Sequence, residues 1–240
     1  MKAFIFLLAT MIKHTLTLFA CLVVLLLRSN CLAHDWADLK HFKTENTQAG
    51  ILAKGEKRVV FMGNSITEAW SRDYPYFYKN KPYCNCGISG QTTPQMLLRF
   101  RQDVIKLEPA VVVILAGTND IEGNTGFSTL EMIEDNIISM VELAKANRIQ
   151  VVLCSVLPVF DYPWKPGIEP AQKIVALNNL LKKYAQNNKV IYLDFFTAMV
   201  DKRNGLKDVL TFDGVHPNVT GYQLMSPLAE EAIGKAFKKK

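Results

Sequence analysis

The sequence predicts a single α/β domain in which a parallel sheet is covered on both faces by helices. Three observations carry that prediction. Short apolar runs such as Val111–Leu115 and Val151–Cys154 have the length and β-branched content of strands buried on both sides. Between such runs lie longer stretches with apolar residues at helical spacing. Strand-like and helix-like segments alternate, which is the order that parallel crossovers produce.

The elements follow along the chain. Arg58–Met62 reads as the first strand, and Pro82–Cys86 as the second, the latter placed mainly by its position between helical segments. A helix then carries Pro94 in its first turn, where a missing N–H costs nothing, with Leu97, Phe100, Val104 and Leu107 directed inward. Val111–Leu115 is the third strand. Ser128-Thr129-Leu130-Glu131 reads as a capping box opening a helix whose Leu130, Ile133, Ile137 and Met140 share a face. Val151–Cys154 is the fourth strand, and Ile174, Leu177, Leu181 and Tyr184 mark the next helix. Val190–Leu193 is the last strand, and Leu224, Leu228 and Ile233 mark a C-terminal helix. The longest irregular segment, Leu157–Pro170, contains Phe160, Tyr162, Trp164 and four prolines.

Residues 1–33 read as a targeting signal ahead of one domain spanning 34–240. Leu16–Leu27 is a nearly unbroken apolar run, and the small residues Cys31 and Ala33 suit signal-peptidase cleavage before His34. Met11 is an alternative start, since Met11-Ile12-Lys13-His14 then supplies a short basic segment before that run. An uncleaved membrane anchor is the competing reading. The expected location is therefore the periplasm or the extracellular space, with no membrane contact by the mature domain.

The leader holds Lys2, Lys13 and Arg28 and no acid, so its removal lowers the net charge from +6 to +3. So small an excess gives no argument for a nucleic-acid partner. Lys238–Lys240 reads as a solvated tail. Cys84, Cys86 and Cys154 remain after cleavage, too few for a disulfide framework, although a bridge from Cys84 or Cys86 to Cys154 stays open. No histidine cluster completes a zinc site, and no metal is expected.

The chemistry-bearing motifs all follow strands. Gly63-Asn64-Ser65, Gly87-Ile88-Ser89-Gly90 and Gly117-Thr118-Asn119-Asp120 come after the first, second and third strands. In an open parallel sheet such loops leave from the carboxyl edge, where ligands bind. Asp213-Gly214-Val215-His216-Pro217 holds the one histidine beyond residue 41. Ser65 is the candidate nucleophile, His216 its general base and then acid, and Asp213 the group that orients the ring. The backbone amides of Ser65 and Gly90 and the side-chain amide of Asn119 are the candidate oxyanion donors. Asp120 is expected to hold the Asn119 loop, with capping of a following helix as the alternative. Asn64 and Trp164 are candidate substrate contacts. The Trp164 ring has three readings: stacking on a sugar, walling an acyl pocket, or packing under its loop.

These motifs resemble those of the SGNH hydrolases, also called GDSL-type esterases and lipases. The resemblance rests on Ser65 in Gly-Asn-Ser-Ile-Thr, Gly90 in Gly-Ile-Ser-Gly-Gln-Thr-Thr, Asn119 in Gly-Thr-Asn-Asp and His216 in Asp-Gly-Val-His-Pro, over roughly residues 58–235. It implies a flavodoxin-like three-layer α/β/α fold with about five parallel strands, a Ser/His/Asp triad and no cofactor. Asn64 departs from the aspartate usual before the serine, but the triad acid comes from Asp213. The chain is similar in particular to secreted bacterial carbohydrate esterases and to the platelet-activating-factor acetylhydrolase-like branch. The substrate implied is a small-molecule or polysaccharide ester with a short acyl group such as acetyl. A longer-chain lysophospholipase or thioesterase is the alternative, and a noncatalytic carbohydrate-binding module is the alternative outside the enzymes.

Overall fold

The computed structural model describes residues 35–49 and 55–239; the expected leader, 1–33, lies outside the described residues. The fold below is that of the unit Ala37–Lys240. Five strands, β1 (Val59–Gly63), β2 (Tyr83–Gly87), β3 (Val111–Leu115), β4 (Gln150–Cys154) and β5 (Ile191–Leu193), form one sheet in the order β2-β1-β3-β4-β5. Every pairing is parallel. The expected strands all form, with limits shifted by no more than about a residue.

The described helices are α1 (Lys43–Gln48), α2 (Ser65–Asp73), α3 (Thr93–Asp103), α4 (Thr118–Glu122), α5 (Leu130–Ala146), α6 (Pro170–Asn187), α7 (Phe195–Met199) and α8 (Val219–Lys238). Successive strand side chains point to opposite faces, so each face has its own core. Val60, Met62, Val112, Ile114, Val151 and Leu153 pack with α3, α5 and α6. Val59, Phe61, Val111, Val113, Val152 and Cys154 pack with α2, α7 and α8. The result is the three-layer α/β/α arrangement that the resemblance implies.

On the second face Trp70 of α2 stacks between Phe77 and Tyr222, at centroid distances of 4.7 and 5.7 Å. Such aromatic pairs contribute about 0.5–1.5 kcal/mol beyond their buried area. The Tyr222 hydroxyl donates to the Ile66 carbonyl at 2.9 Å, and the Trp70 indole N–H donates to Ser226 at 3.3 Å. Helix α8 thereby fixes the helix whose first residue is Ser65.

Three local expectations differ from the structure. The buried face of α8 is Tyr222, Met225, Ala229, Ala232, Ile233 and Ala236, while Leu224 and Leu228 are only partly buried. Alanines let the helix lie close to the sheet, and a reading keyed to leucines misses that stripe. The cap of α5 is Thr129, which accepts from the Met132 N–H at 3.2 Å, one residue after the expected Ser128. The open cysteine bridge does not form, and all three described cysteines are free. Cys86 lies in one core and Cys154 in the other, on strands separated by β1 and β3. At about 4.8 Å per strand spacing the separation far exceeds the ~7 Å Cα limit for a disulfide.

Chain direction sets the position of the site. From β1 the chain passes to β2 on one side and then to β3 on the other, so the strand order reverses beside β1. Gly63 is in register with both Gly87 and Leu115. Three strands therefore end at one level, and the loops after them emerge side by side.

Candidate active site

Ser65 opens α2 immediately after β1 and is half-buried. Asn64 caps that helix: its Oδ1 accepts from the Ile66 N–H at 3.1 Å. Asn64, a candidate substrate contact, is buried at 1% exposure with its side chain engaged in this cap. The end of β2 lies hard against the same helix. A Cβ on Gly87 would stand 2.2 Å from the Glu68 backbone nitrogen, so only glycine permits this approach.

The loop after β2 reverses at Gly90, whose φ of +77° is favourable for glycine alone among ordinary residues. Gly90 is exposed. Glu68 holds the preceding residue, accepting from the Ser89 backbone N–H at 2.6 Å and from the Ser89 hydroxyl. The Ile88 N–H donates to the Gly63 carbonyl at 3.2 Å, which ties this loop to the one carrying Ser65.

Asn119 sits in the first turn of α4, 6% exposed, and its Nδ2 donates to the Gln91 carbonyl at 2.9 Å. The Asn124 amide donates to the Gly90 carbonyl at 3.2 Å and the Thr92 and Thr125 hydroxyls meet at 2.9 Å, so the second and third loops are bound together at three points. Asp120 anchors α4 from beneath. Its carboxylate accepts from the Thr93 N–H at 2.9 and 3.1 Å and from the Thr93 hydroxyl at 2.5 Å. Burial pushes this carboxyl above its usual range, with the Thr93 bonds opposing. Asp120 thus holds the Asn119 loop, as expected, by reaching the start of the earlier helix α3.

The His216 loop is built almost entirely from itself. Asp213 Oδ1 accepts from the backbone N–H groups of Val215 and His216 at 2.9 and 2.7 Å, and Asp213 Oδ2 meets His216 Nδ1 at 2.7 Å. Thr211 Oγ1 donates to the His216 carbonyl at 2.6 Å and accepts from the Gly214 N–H at 2.9 Å. Partial burial pushes the Asp213 carboxyl up, but the hydrogen bonds from His216 and Val215 outweigh it and leave the group below its usual range. His216 Nε2 lies 3.0 Å from Ser65 Oγ. The geometry thus brings Ser65, His216 and Asp213 into one hydrogen-bonded line, with Gly90 and Asn119 on the loops beside it.

Two aromatic rings flank the imidazole. Trp164 lies 5.8 Å from it, half-exposed, with its indole N–H on Glu122 Oε1 at 2.6 Å. Phe212 lies 6.1 Å from it at an interplanar angle of 10° and is 65% exposed. Sequence reasoning missed Phe212, although a large apolar residue beside Asp213-Gly214 in a polar turn is a signal that could have found it. It also missed Glu122, whose backbone carbonyl takes the Lys165 ammonium at 2.6 Å and whose side chain holds Trp164.

Comparisons with known proteins agree with this architecture. The model of the GDSL-like lipase/acylhydrolase family matches residues 61–224. A GDSL-like lipase of known structure from Bacteroides thetaiotaomicron is 50% identical, covers 83% of this chain and 98% of its own, and superposes with a TM-score of 0.81. The esterase TesA of Pseudomonas aeruginosa is 27% identical over 200 residues, which is 80% of this chain and 89% of TesA. The uncharacterised lipoprotein YqeF of Bacillus subtilis is 30% identical over 131 residues, 47% of this chain, and the match spans only 54% of YqeF. The chain belongs to the GDSL-like lipase/acylhydrolase family, a family of carboxylic-ester hydrolases.

Proposed function

We propose that the protein is an exported serine esterase that removes short acyl groups, acetyl above all, from carbohydrates or related small esters. The observation that carries the reading is the line Asp213–His216–Ser65, with contacts of 2.7 and 3.0 Å. In this mechanism Ser65 Oγ attacks the ester carbon while His216 Nε2 takes its proton. Asp213, held ionised by its depressed proton affinity, keeps Nδ1 protonated and stabilises the imidazolium that forms. The carbonyl oxygen becomes an alkoxide facing the amides of Ser65, Gly90 and Asn119. One hydrogen of the Asn119 amide is committed to Gln91, and the other is the proposed donor. Collapse expels the alcohol, which receives the proton from His216. Water then attacks the acyl-serine with His216 again as base, and free acid leaves.

The openness of the site supports a bulky alcohol and a small acyl group. Gly90, Phe212 and Trp164 are all exposed, and the two rings offer faces on which an alcohol such as a sugar can lie. A carbohydrate-binding module has no use for a serine hydrogen-bonded to a histidine. The test compares acetyl and octanoyl nitrophenyl esters on the wild type and on Ser65→Ala, with fluorophosphonate labelling of Ser65. The expected result is labelling of Ser65, faster acetyl hydrolysis and no turnover by the variant. A strong preference for octanoyl would assign the longer-chain alternative, and full turnover by Ser65→Ala would overturn the serine mechanism.

A further inference from the structure

Arg99 lies in α3, and both it and Asp103, its partner at 3.1 Å, have fully buried side chains. No step of the proposed reaction uses either. Yet the guanidinium reaches the ends of the two strands that lead into the Ser65 and Gly90 loops, and the residue that holds Asn119. Its Nη2 donates to the Gly63 carbonyl at 3.1 Å and to the Cys86 carbonyl at 2.9 Å, and its Nε donates to Gln91 Oε1 at 2.6 Å. Gly63 stands two residues before Ser65, and Cys86 stands at the entry to the loop that carries Gly90. Gln91 is the residue whose carbonyl holds the Asn119 amide.

We propose that Arg99 is a positioning residue for the oxyanion donors, joining the Ser65 and Gly90 loops from beneath and acting on Asn119 through Gln91; this rests on the serine-esterase reading above. Burying a guanidinium and a carboxylate costs desolvation energy that apolar residues of similar volume would avoid. Burial lowers the proton affinity of Arg99 and raises that of Asp103, which is the mark of that cost. A planar fork with five donors can serve separated acceptors at once, and an ammonium on a flexible stem cannot hold the same three in register. Asp103 keeps the fork oriented while its other oxygen takes the Asn46 amide at 2.7 Å. Donors aimed at a developing charge must be held before the reaction, so loss of the fork should raise the barrier without weakening substrate binding.

The experiment measures kcat and KM on nitrophenyl acetate for Arg99→Lys, with thermal unfolding and active-site titration by fluorophosphonate to correct for folded fraction. The expected result is a kcat reduced roughly 10- to 100-fold per active site, of the order of losing part of an oxyanion hole, with KM within about twofold of wild type. Gln91→Leu, which removes the acceptor for Arg99 and the Nε2 bond to the Ala37 carbonyl but leaves the ion pair, should lower kcat in the same way, and Gln91→Glu, which loses the Ala37 bond but keeps the acceptor, should recover most of it. A kcat near wild type in Arg99→Lys, or a loss that appears in KM or vanishes on correction for active sites, overturns the proposal. If Arg99→Lys fails to fold, the Gln91 pair decides, and wild-type kcat in Gln91→Leu overturns it. Ser65→Ala separates the two readings. Turnover retained by Ser65→Ala removes the esterase mechanism and the Arg99 proposal with it, whereas an inactive Ser65→Ala beside an unaffected Arg99→Lys removes only the latter.

Discussion

The two halves of the site are held in opposite ways. The His216 loop is stabilised by bonds between residues two to five positions apart, and it stands partly open, with 22% and 25% of the His216 and Asp213 side chains exposed. The loops of Gly90 and Asn119 are held by buried bonds that span 27 and 28 residues, from Asp120 to Thr93 and from Asn119 to Gln91. A short-range motif folds wherever its own few residues are present. A long-range one exists only after the sheet and its helices have assembled. Damage to the first should therefore cost chemistry and spare the fold, whereas damage to the second should couple the two.

The strongest way to break that contrast is Asp213→Asn. The new side chain keeps an oxygen for the Val215 and His216 N–H groups but presents an amide to the imidazole, which then takes the wrong tautomer. We expect kcat to fall about 10⁴-fold with only a small drop in melting temperature at neutral pH, and a large drop would show that the loop is not self-supporting. Asn119→Ala comes next. A loss of about 10²–10³ in kcat is expected for a missing oxyanion donor, accompanied here by measurable destabilisation because a buried amide leaves the Gln91 carbonyl unpaired. An unchanged kcat in steady-state assays would mean that another group fills the role.

Trp164 sharpens the comparison because it joins the halves, with its ring beside His216 and its N–H on Glu122 of α4. Trp164→Ala should raise KM for glucose pentaacetate about two- to tenfold, the worth of one stacked ring, and leave nitrophenyl acetate kinetics nearly intact. Trp164→Phe, which keeps a ring and drops the tether, should fall between. Equal effects on both substrates would show that Trp164 orients His216 instead of holding a sugar. The smallest effect is on acid stability. Asp213 has a proton affinity below its unfolded value, so its contribution is present above the unfolded carboxylate range, near pH 4, and is lost as pH falls through the lower folded value. Urea titrations should therefore show wild type and Asp213→Asn converging in stability at the acid end, and a constant gap would place the stabilisation elsewhere.

How much was legible in the sequence follows the same division. The strands and the Asp213–His216 loop are written in contiguous residues, and their expected and observed positions agree within about a residue. Fold class followed from the alternation of buried runs and amphipathic stretches. The support beneath the Gly90 and Asn119 loops was not legible, because its bonds join residues that only the folded sheet brings together. Even so, Arg99 and Asp103 sit with Met96 and Phe100 on one face of α3. An oppositely charged pair four residues apart inside an apolar stripe is the signal that reading α3 for its leucines passed over. Asn64 adds a role that its position beside Ser65 did not suggest, since its side chain caps the helix that Ser65 opens.

The shared register of Gly63, Gly87 and Leu115 has a consequence for which insertions the gene can survive. Adding one residue within β1 would carry Ser65 about 3.3 Å along the strand and turn it to the opposite face, out of reach of both His216 and its neighbouring loops. The same residue added in the exposed turn at Lys79–Lys81, on the far side of α2 and past the buried Phe77, is absorbed before β2 begins. Length variation among working versions of this protein should accordingly collect at the end of the sheet opposite the serine, and a library of single-codon insertions read out by ester hydrolysis would map the boundary.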